Sequence, residues 1–339
     1  MKLGEHVPLA SFTTFGVGGD ARFFAEVHTE KDVQDIASHV RAHGLVVYPL
    51  GGGSNILVPD DGVDGVVMKM ALRDIVLHVD GDEVLLVAGA GARWEDVVEC
   101  AVGHHLFGIE NLAGIPGTVG GAAVQNIGAY GAEFSDVFEY ADVYNVLTGS
   151  SVRVTRAQSS FAYRTSFFKE HRELVIVQVA LRLMRSAVPN ISYPDLKHAQ
   201  MEGVSLSTPI EVARAVHAIR SQKFPQKEEG GTAGSFFKNP IITKEQAGDI
   251  AKRFPGVPMF PQKEGMVKIP LAWLLDHALS LKGFSNGNVR LYEKQPLIIV
   301  AHQNARAAEV DALACEVEQR VFAEMNIRIE REVETFSNR

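Results

Sequence analysis

The sequence predicts an α+β protein of more than one domain. Short apolar strands alternate with amphipathic helices along the chain, and three glycine-rich segments interrupt that pattern. The 339 residues are also enough for two or three domains with sizeable cores. At 46% hydrophobic and 22% charged, the composition is that of an ordinary soluble globular protein. A formal net charge of -8 offers no general basic face, so neither nucleic acid nor an anionic membrane is expected as a partner. Cys100 and Cys315 each fall in a helix-like segment, which fits a reducing compartment without a disulfide framework or a thiolate metal site. The N-terminal stretch MKLGEHVPLASFTTFG lacks the apolar core of a signal peptide, and no run of about 18 apolar residues could span a bilayer. A soluble, cytoplasmic protein is expected, with no obligate protein partner inferred.

In chain order, residues 30–43 predict a helix with Val33, Ile36, Ala37 and Val40 on one face and Gly44 as its stop. Residues 45–50 then form a strand that runs into Gly51-Gly52-Gly53-Ser54-Asn55. Each glycine costs backbone entropy that a plain tight turn does not require, so this segment reads as a phosphate cradle, the plain turn being the alternative. Strands follow at 66–70, 75–79 and 84–88. The next segment, Gly89-Ala-Gly91-Ala-Arg-Trp94, is a decoy: a dinucleotide fingerprint needs a third glycine where Trp94 stands. No Rossmann site is expected there, and no phosphate loop of the G-x-x-x-x-G-K-[ST] type occurs. His39 with His43, and Cys100 with His104, have helical spacing but no carboxylate in the H-E-x-x-H arrangement. Helix packing is the simpler reading, and no metal is expected.

The central stretch, GIPGTVGGAAVQNIGAYG over 114–131, holds six glycines, and no charged residue lies between Glu110 and Glu133. Free backbone N–H groups in such a loop suit phosphate oxygens without basic side chains. The stretch therefore reads as a wall against a large flat ligand carrying a pyrophosphate, or else as a glycine-rich turn packing two helices closely. Strands recur at 139–147, 151–155 and 174–184, with the aromatic and basic FAYRTSFFK at 161–169 between the last two. Its functional reading is an arginine held rigidly by neighbouring rings and aimed at an anion; the alternative is a helix cap with buried aromatics.

Residues 186–207 form a polar run containing Ser192-Tyr193-Pro194-Asp195, a candidate lid as much as a linker. Thr208-Pro209-Ile210-Glu211 then starts a helix with N-cap, proline and capping-box glutamate. In GGTAGSFFKNP, 230–240, a serine on a glycine turn with apolar neighbours suggests a positioned hydroxyl, with a helix cap as the alternative. It is not a nucleophile elbow, because Phe237 replaces the final glycine. Helices from Thr243, from Pro270 and over 304–325 alternate with a strand at 297–302. The chain closes on IRIEREV, 327–333, where strand alternation puts Arg328, Glu330 and Glu332 on one face. Such a strand, pairing into an earlier sheet, could carry a carboxylate into a cleft; solvated edge charges are the alternative.

Taken together, GGGSNIL (51–57), IPGTVGGAAVQNIGAYG (115–131), YRTSFFK (163–169) and GSFFKNP (234–240) resemble the UDP-N-acetylenolpyruvoylglucosamine reductase (MurB) family. Residues 220–223 and the Glu-rich terminal segment extend the resemblance over nearly the whole chain. It implies the FAD-binding fold of the vanillyl-alcohol-oxidase/p-cresol-methylhydroxylase type. Two subdomains would bind FAD: 1–72, joined by a C-terminal strand 326–339, and 73–207, with a lid loop at 186–207. A third, α/β substrate-binding domain would cover 208–325. The run containing Tyr193 resembles the mobile tyrosine loop of the longer family subtype.

By the same resemblance, non-covalent FAD would be held by Gly51, Gly52, Gly53, Ser54, Asn55, Ile115, Pro116, Gly117, Thr118, Gly120, Gly121, Ala122 and Arg220. Tyr130, Tyr193, Lys223, Asn239 and Gln295 would contact UDP-N-acetylglucosamine-enolpyruvate, and Arg164, Ser235 and Glu332 match the catalytic positions. The implied reaction carries hydride from NADPH through flavin N5 to the enolpyruvyl ether. It yields UDP-N-acetylmuramate for peptidoglycan, with Ser235 as proton donor and Arg164 with Glu332 stabilising the charge that builds towards the carboxylate. Parity does not separate Glu330 from Glu332; the family's Glu-Val pairing favours Glu332. Phe260, where the longer subtype can carry tyrosine, has no hydrogen bond to donate and receives no role. Two rivals stand beside this reading: a flavin oxidase of the same fold, and a nucleotide-sugar-binding protein without turnover.

Overall fold

The computed structural model describes residues 3–336. The chain forms two compact units. One comprises the chain up to Val7, Ala21–Gly52 and Asp64–Gln222; the other comprises Pro8–Asp20, Gly53–Val63 and the chain from Lys223 onward.

The first unit is built on two sheets. Val47–Leu50 pairs in parallel with Val63–Met70 in a four-stranded sheet completed by Asp20–Val27 and Gly4–Pro8. The helix Glu30–His43 supplies its buried stripe of Val33, Ile36, Ala37 and Val40, is capped by Thr29 with Asp32 and stops at Gly44 in the left-handed region. The second sheet is antiparallel, in the order Ser150–Thr155, Phe138–Asn145, Leu174–Met184, Glu83–Gly89, Ile75–Asp80. The helices Trp94–Gly103 and Val119–Gln125 join it in one apolar core with Trp94, Phe134 and Phe138 at its centre. At the decoy, a Cβ on Gly89 or Gly91 would meet the carbonyl oxygens of Leu72 or Met70 at 2.5 Å. Close strand packing explains both glycines, and Trp94 is buried with its indole N–H on the Leu112 carbonyl at 2.9 Å.

The second unit gathers small pieces around the helix Ala307–Met325. Its elements are the three-stranded sheets Ile241–Thr243, Met266–Lys268, Phe260–Pro261 and Ser285–Asn286, Val289–Leu291, Ile299–Ala301, with the helix Lys244–Arg253. Phe236, Phe237, Leu274, Leu313 and Val317 lie in its core.

Two expectations change. The run 186–207, expected as a lid loop or linker, contains a helix: Pro194–Met201, with Pro194 in its first turn and Leu196 fully buried in the core. The C-terminal segment does not form a strand over 327–333. Ile327, Ile329 and Val333 are buried and Arg328 and Glu330 exposed, so the alternation is real. The ladder, however, is confined to Glu334–Thr335, parallel to Ile56–Leu57, and to a single bridge between Arg331 and Phe237. Residues 337–339 of the expected strand lie outside the described residues.

Candidate active site

In the first unit the two glycine-rich loops touch. A Cβ on Gly52 would lie 2.7 Å from the Cα of Gly117, itself at φ 127°, and one on Gly51 would collide with the Thr118 hydroxyl. Mutual approach of two backbones therefore accounts for these glycines before any ligand is considered. The strand Val63–Met70 adds Lys69, level with Leu50, whose ammonium donates to the Gly51 carbonyl and whose pKa is lowered by burial. Several amides that looked available for phosphate are engaged by protein. Gly120 N–H donates to Ala90 O at 3.0 Å, and Ala122 N–H donates to Thr118 O at 2.8 Å. Gly121 faces open space, with nothing nearer than 3.7 Å to a Cβ built there. The N–H groups of Gly52 and Thr118 have no acceptor among the described residues. Two such donors on touching, uncharged loops fit the oxygens of a pyrophosphate, and so fit FAD. Ile115 and Pro116 lead into the second loop from Gly114.

Gly114, at φ 70°, is gripped at both ends. Its N–H donates to Glu95 Oε2 at 2.7 Å, and its carbonyl accepts from Arg220 Nε at 3.0 Å. Glu95 also meets His217 Nε2 at 2.7 Å, so the helices Trp94–Gly103 and Pro209–Lys223 fix the loop entrance together. Burial lowers the pKa of Arg220, opposed by Tyr130 and Glu95. Tyr130 is buried at φ 49°, and burial pushes its hydroxyl up to about 12. The ring of Tyr193 stands edge-on to that of Tyr130, centroids 5.2 Å apart, while Tyr193 stays 40% exposed. Buried Asn111 ties the two stretches, its amide donating to Tyr130 O at 2.8 Å and Asn190 O at 2.7 Å.

Arg164 is held differently from the expectation. Backbone carbonyls take part as well as a ring: Nη2 donates to Gly128 O at 2.5 Å and Nη1 to Asn126 O at 3.4 Å, and the ring of Tyr163 lies 5.2 Å from the guanidinium. Arg164 itself sits at φ 56°, and Asn126, fully buried at φ 44°, braces the turn through Glu133, Ala162 and Ser135. A left-handed arginine fixed by carbonyls is a preorganised cation, with backbone strain maintained by its surroundings.

In the second unit, Ser235 follows Gly234 at φ 72° and bridges Ile298. No described residue hydrogen-bonds its hydroxyl, and it starts no helix. The neighbouring backbone is zipped to the C-terminal segment: Glu332 N–H donates to Phe236 O at 2.8 Å and Lys238 N–H to Glu330 O at 2.9 Å. The two candidate carboxylates separate here. Glu330 is largely exposed and pairs with Lys238 at 2.9 Å, whereas Glu332 is half-buried. Gly53 at φ 64° closes on Phe12, and the Asn55 side chain donates to Glu332 O at 3.1 Å, with Ser54 between them. Asn239 accepts from Leu271 N–H at 2.9 Å, starting the helix there. Gln295 Oε1 is buried with no partner among the described residues, and Lys223 is half-buried at the end of its helix.

Comparison with known proteins decides the family. A family model described as "FAD binding domain" matches residues 21–155, and one described as "UDP-N-acetylenolpyruvoylglucosamine reductase, C-terminal domain" matches 225–336. The UDP-N-acetylenolpyruvoylglucosamine reductase of Chromobacterium violaceum is 38% identical, over 96% of each chain. That of Neisseria gonorrhoeae is 39% identical, over 96% of this chain and 94% of its own. The chain belongs to the UDP-N-acetylenolpyruvoylglucosamine reductase family. A crystal structure of the UDP-N-acetylenolpyruvylglucosamine reductase from Thermus caldophilus superposes with a TM-score of 0.69 at 26% identity, covering 99% of this chain and 100% of that one. Membership makes this chain an oxidoreductase of the CH–CH class on the vanillyl-alcohol-oxidase/p-cresol-methylhydroxylase-type FAD-binding fold. Asn111, Glu95 and Lys69, which support the reductase's loops, carry no motif. The signal for Asn111 was a polar residue inside the apolar run before Gly114; for Glu95 it was only a first-turn carboxylate.

Proposed function

We propose that this chain reduces the enolpyruvyl ether of UDP-N-acetylglucosamine-enolpyruvate to UDP-N-acetylmuramate, with NADPH as hydride donor. The product serves peptidoglycan synthesis, and the cytoplasm is the compartment; among the described residues no helix is long and apolar enough to cross a membrane. The observation that carries the reading is the bond from Glu332 N–H to Phe236 O at 2.8 Å, which puts Ser235 and Glu332 on adjoining backbone. Residues 51–55, 115–118, 120–122 and Arg220 would hold FAD non-covalently, and the bound flavin would supply hydride chemistry. The functional division is the threefold one: FAD-binding parts over 1–72 and 73–207, and a substrate-binding part over 208–325.

Each assigned side chain has a task. The Arg164 guanidinium stabilises charge gathering on the substrate carboxylate, and its fixed geometry means little reorganisation during reaction. Ser235 Oγ–H delivers a proton to the carbon next to that carboxylate; general acid help of this kind is worth on the order of 10²–10⁴-fold. Glu332, half-buried, acts in its protonated form as a hydrogen-bond donor to the same developing charge. Its selection over Glu330 is supported by the exposure of Glu330 and its pairing with Lys238. Tyr130, Tyr193, Lys223, Asn239 and Gln295 bind the nucleotide sugar; Gln295 Oε1, buried without a partner among the described residues, supplies an acceptor. The test is NADPH oxidation by purified protein with and without the enolpyruvyl sugar, with mass analysis of the product. Sugar-dependent oxidation and a gain of two hydrogens support the reading; oxidation independent of the sugar refutes it.

A further inference from the structure

The C-terminal segment carrying Glu332 is held in register by a short ladder, one bridge between Arg331 and Phe237 and the pairing of Glu334–Thr335 with Ile56–Leu57. Around Glu332 its backbone is tied by the Lys238 N–H to Glu330 O bond at 2.9 Å, the Glu332 N–H to Phe236 O bond at 2.8 Å, the Asn55 amide to Glu332 O at 3.1 Å and the Glu334 N–H to Asn55 O bond at 3.0 Å. A slip by one residue would exchange the faces of Glu332 and its neighbours, and isolated bridges resist such a slip weakly. A side chain adds a stronger restraint. Arg331 Nε meets Glu318 Oε1 at 2.7 Å, Nη2 meets Glu318 Oε2 at 3.3 Å and Cys315 Sγ at 3.1 Å, and Nη1 meets Asp311 Oδ1 at 2.5 Å. Residues 311, 315 and 318 are four and three apart on the helix Ala307–Met325, so they form one face of a 19-residue rigid element. The planar fork of arginine suits this multidentate grip, and lysine could not reproduce it. The guanidinium also lies 5.8 Å from the ring of buried Phe236, the residue whose carbonyl takes the Glu332 N–H.

We propose that Arg331 is a positioning residue for Glu332. It locks the register of Glu332 against the backbone next to Ser235 by anchoring both to the Ala307–Met325 helix. The role rests on the assignment of Glu332 to the substrate-reducing step. In an extended chain, neighbours project to opposite sides, so Arg331 acts through the backbone and not by contact with substrate.

The test uses the flavin-loaded full chain and separates two half-reactions. In Arg331→Met, flavin reduction by NADPH stays unchanged, whereas reoxidation by the enolpyruvyl sugar slows roughly ten- to a hundredfold, the scale expected for a small misplacement of a reacting group. Arg331→Lys falls between the two. Hydrogen exchange at the Glu332 amide quickens in Arg331→Met, a readout independent of turnover. Should Arg331→Met not fold, Glu318→Gln carries the test: it loosens the grip while leaving Asp311, and gives the same selective pattern in weaker form. Unchanged reoxidation with unchanged Glu332 exchange overturns the proposal, as does an equal slowing of both half-reactions. If wild-type reduced flavin is not reoxidised by the sugar, the reaction assignment falls, and this proposal with it.

Discussion

Gly52 and Gly117 meet backbone to backbone, so closely that a Cβ on Gly52 would stand 2.7 Å from the Gly117 Cα. Inserting one methyl forces the two loops apart, at a cost of about 1–3 kcal/mol typical of overpacking. The N–H groups of Gly52 and Thr118, which no described residue accepts, then lose their mutual placement. Gly52→Ala should purify with clearly less flavin per chain than wild type while remaining folded by circular dichroism. The ratio of absorbance near the flavin maximum to protein absorbance checks this directly.

Ser235 offers a hydroxyl that no described residue engages. Ser235→Ala should leave flavin reduction by NADPH intact and slow reoxidation by the enolpyruvyl sugar by on the order of 10²–10⁴-fold. Rapid-mixing absorbance of each half-reaction measures the two rates separately. Reoxidation at the wild-type rate would remove Ser235 from the mechanism.

Tyr193 packs edge-on against Tyr130 just ahead of a helix whose Leu196 is in the core. The stretch is thus better probed by trimming the ring than by shortening the segment. Tyr193→Ala should raise the KM for the nucleotide sugar by roughly two- to tenfold, the scale of one aromatic pair, with flavin reduction by NADPH unaffected. Steady-state kinetics at varied sugar concentration gives the split.

Burial pushes the hydroxyl of Tyr130 up to about 12, from an ordinary value of 10.0. Between those two pH values the folded chain holds a proton that the unfolded chain has released. This contribution to stability is therefore complete below pH 10 and is lost as pH rises towards 12. The difference in phenolate absorbance between wild type and Tyr130→Phe should show a single step with a midpoint of about 12. A midpoint at the ordinary tyrosine value would mean that Tyr130 is not sequestered.

Much of this architecture could be read from residue order. The Val33, Ile36, Ala37 and Val40 stripe and Gly44 gave the first helix its limits, and the strand over 174–184 came out end to end. Trp94, standing where a dinucleotide fingerprint needs a third glycine, is a buried core residue with its indole N–H on the Leu112 carbonyl. What local pattern could not give is set by distant contacts. Nothing near Gly52 announces that Gly117 will rest on it. Likewise Arg164 is held in part by the carbonyls of Asn126 and Gly128, which are invisible to a reading based on neighbouring rings. Pro194 was in plain view as a helix start, but the polar run around it favoured a loop until Leu196 found the core. Alternation alone gave Glu330 and Glu332 the same face; their difference in surroundings, Glu330 exposed and paired with Lys238 and Glu332 half-buried, arises from a residue some ninety positions away.

The most direct measurement is anaerobic stopped-flow of flavin absorbance, with NADPH mixed first and UDP-N-acetylglucosamine-enolpyruvate second. Bleaching by NADPH followed by full recovery on adding the sugar is the predicted result. A colourless protein, or reduced flavin that the sugar leaves reduced, would contradict the assignment.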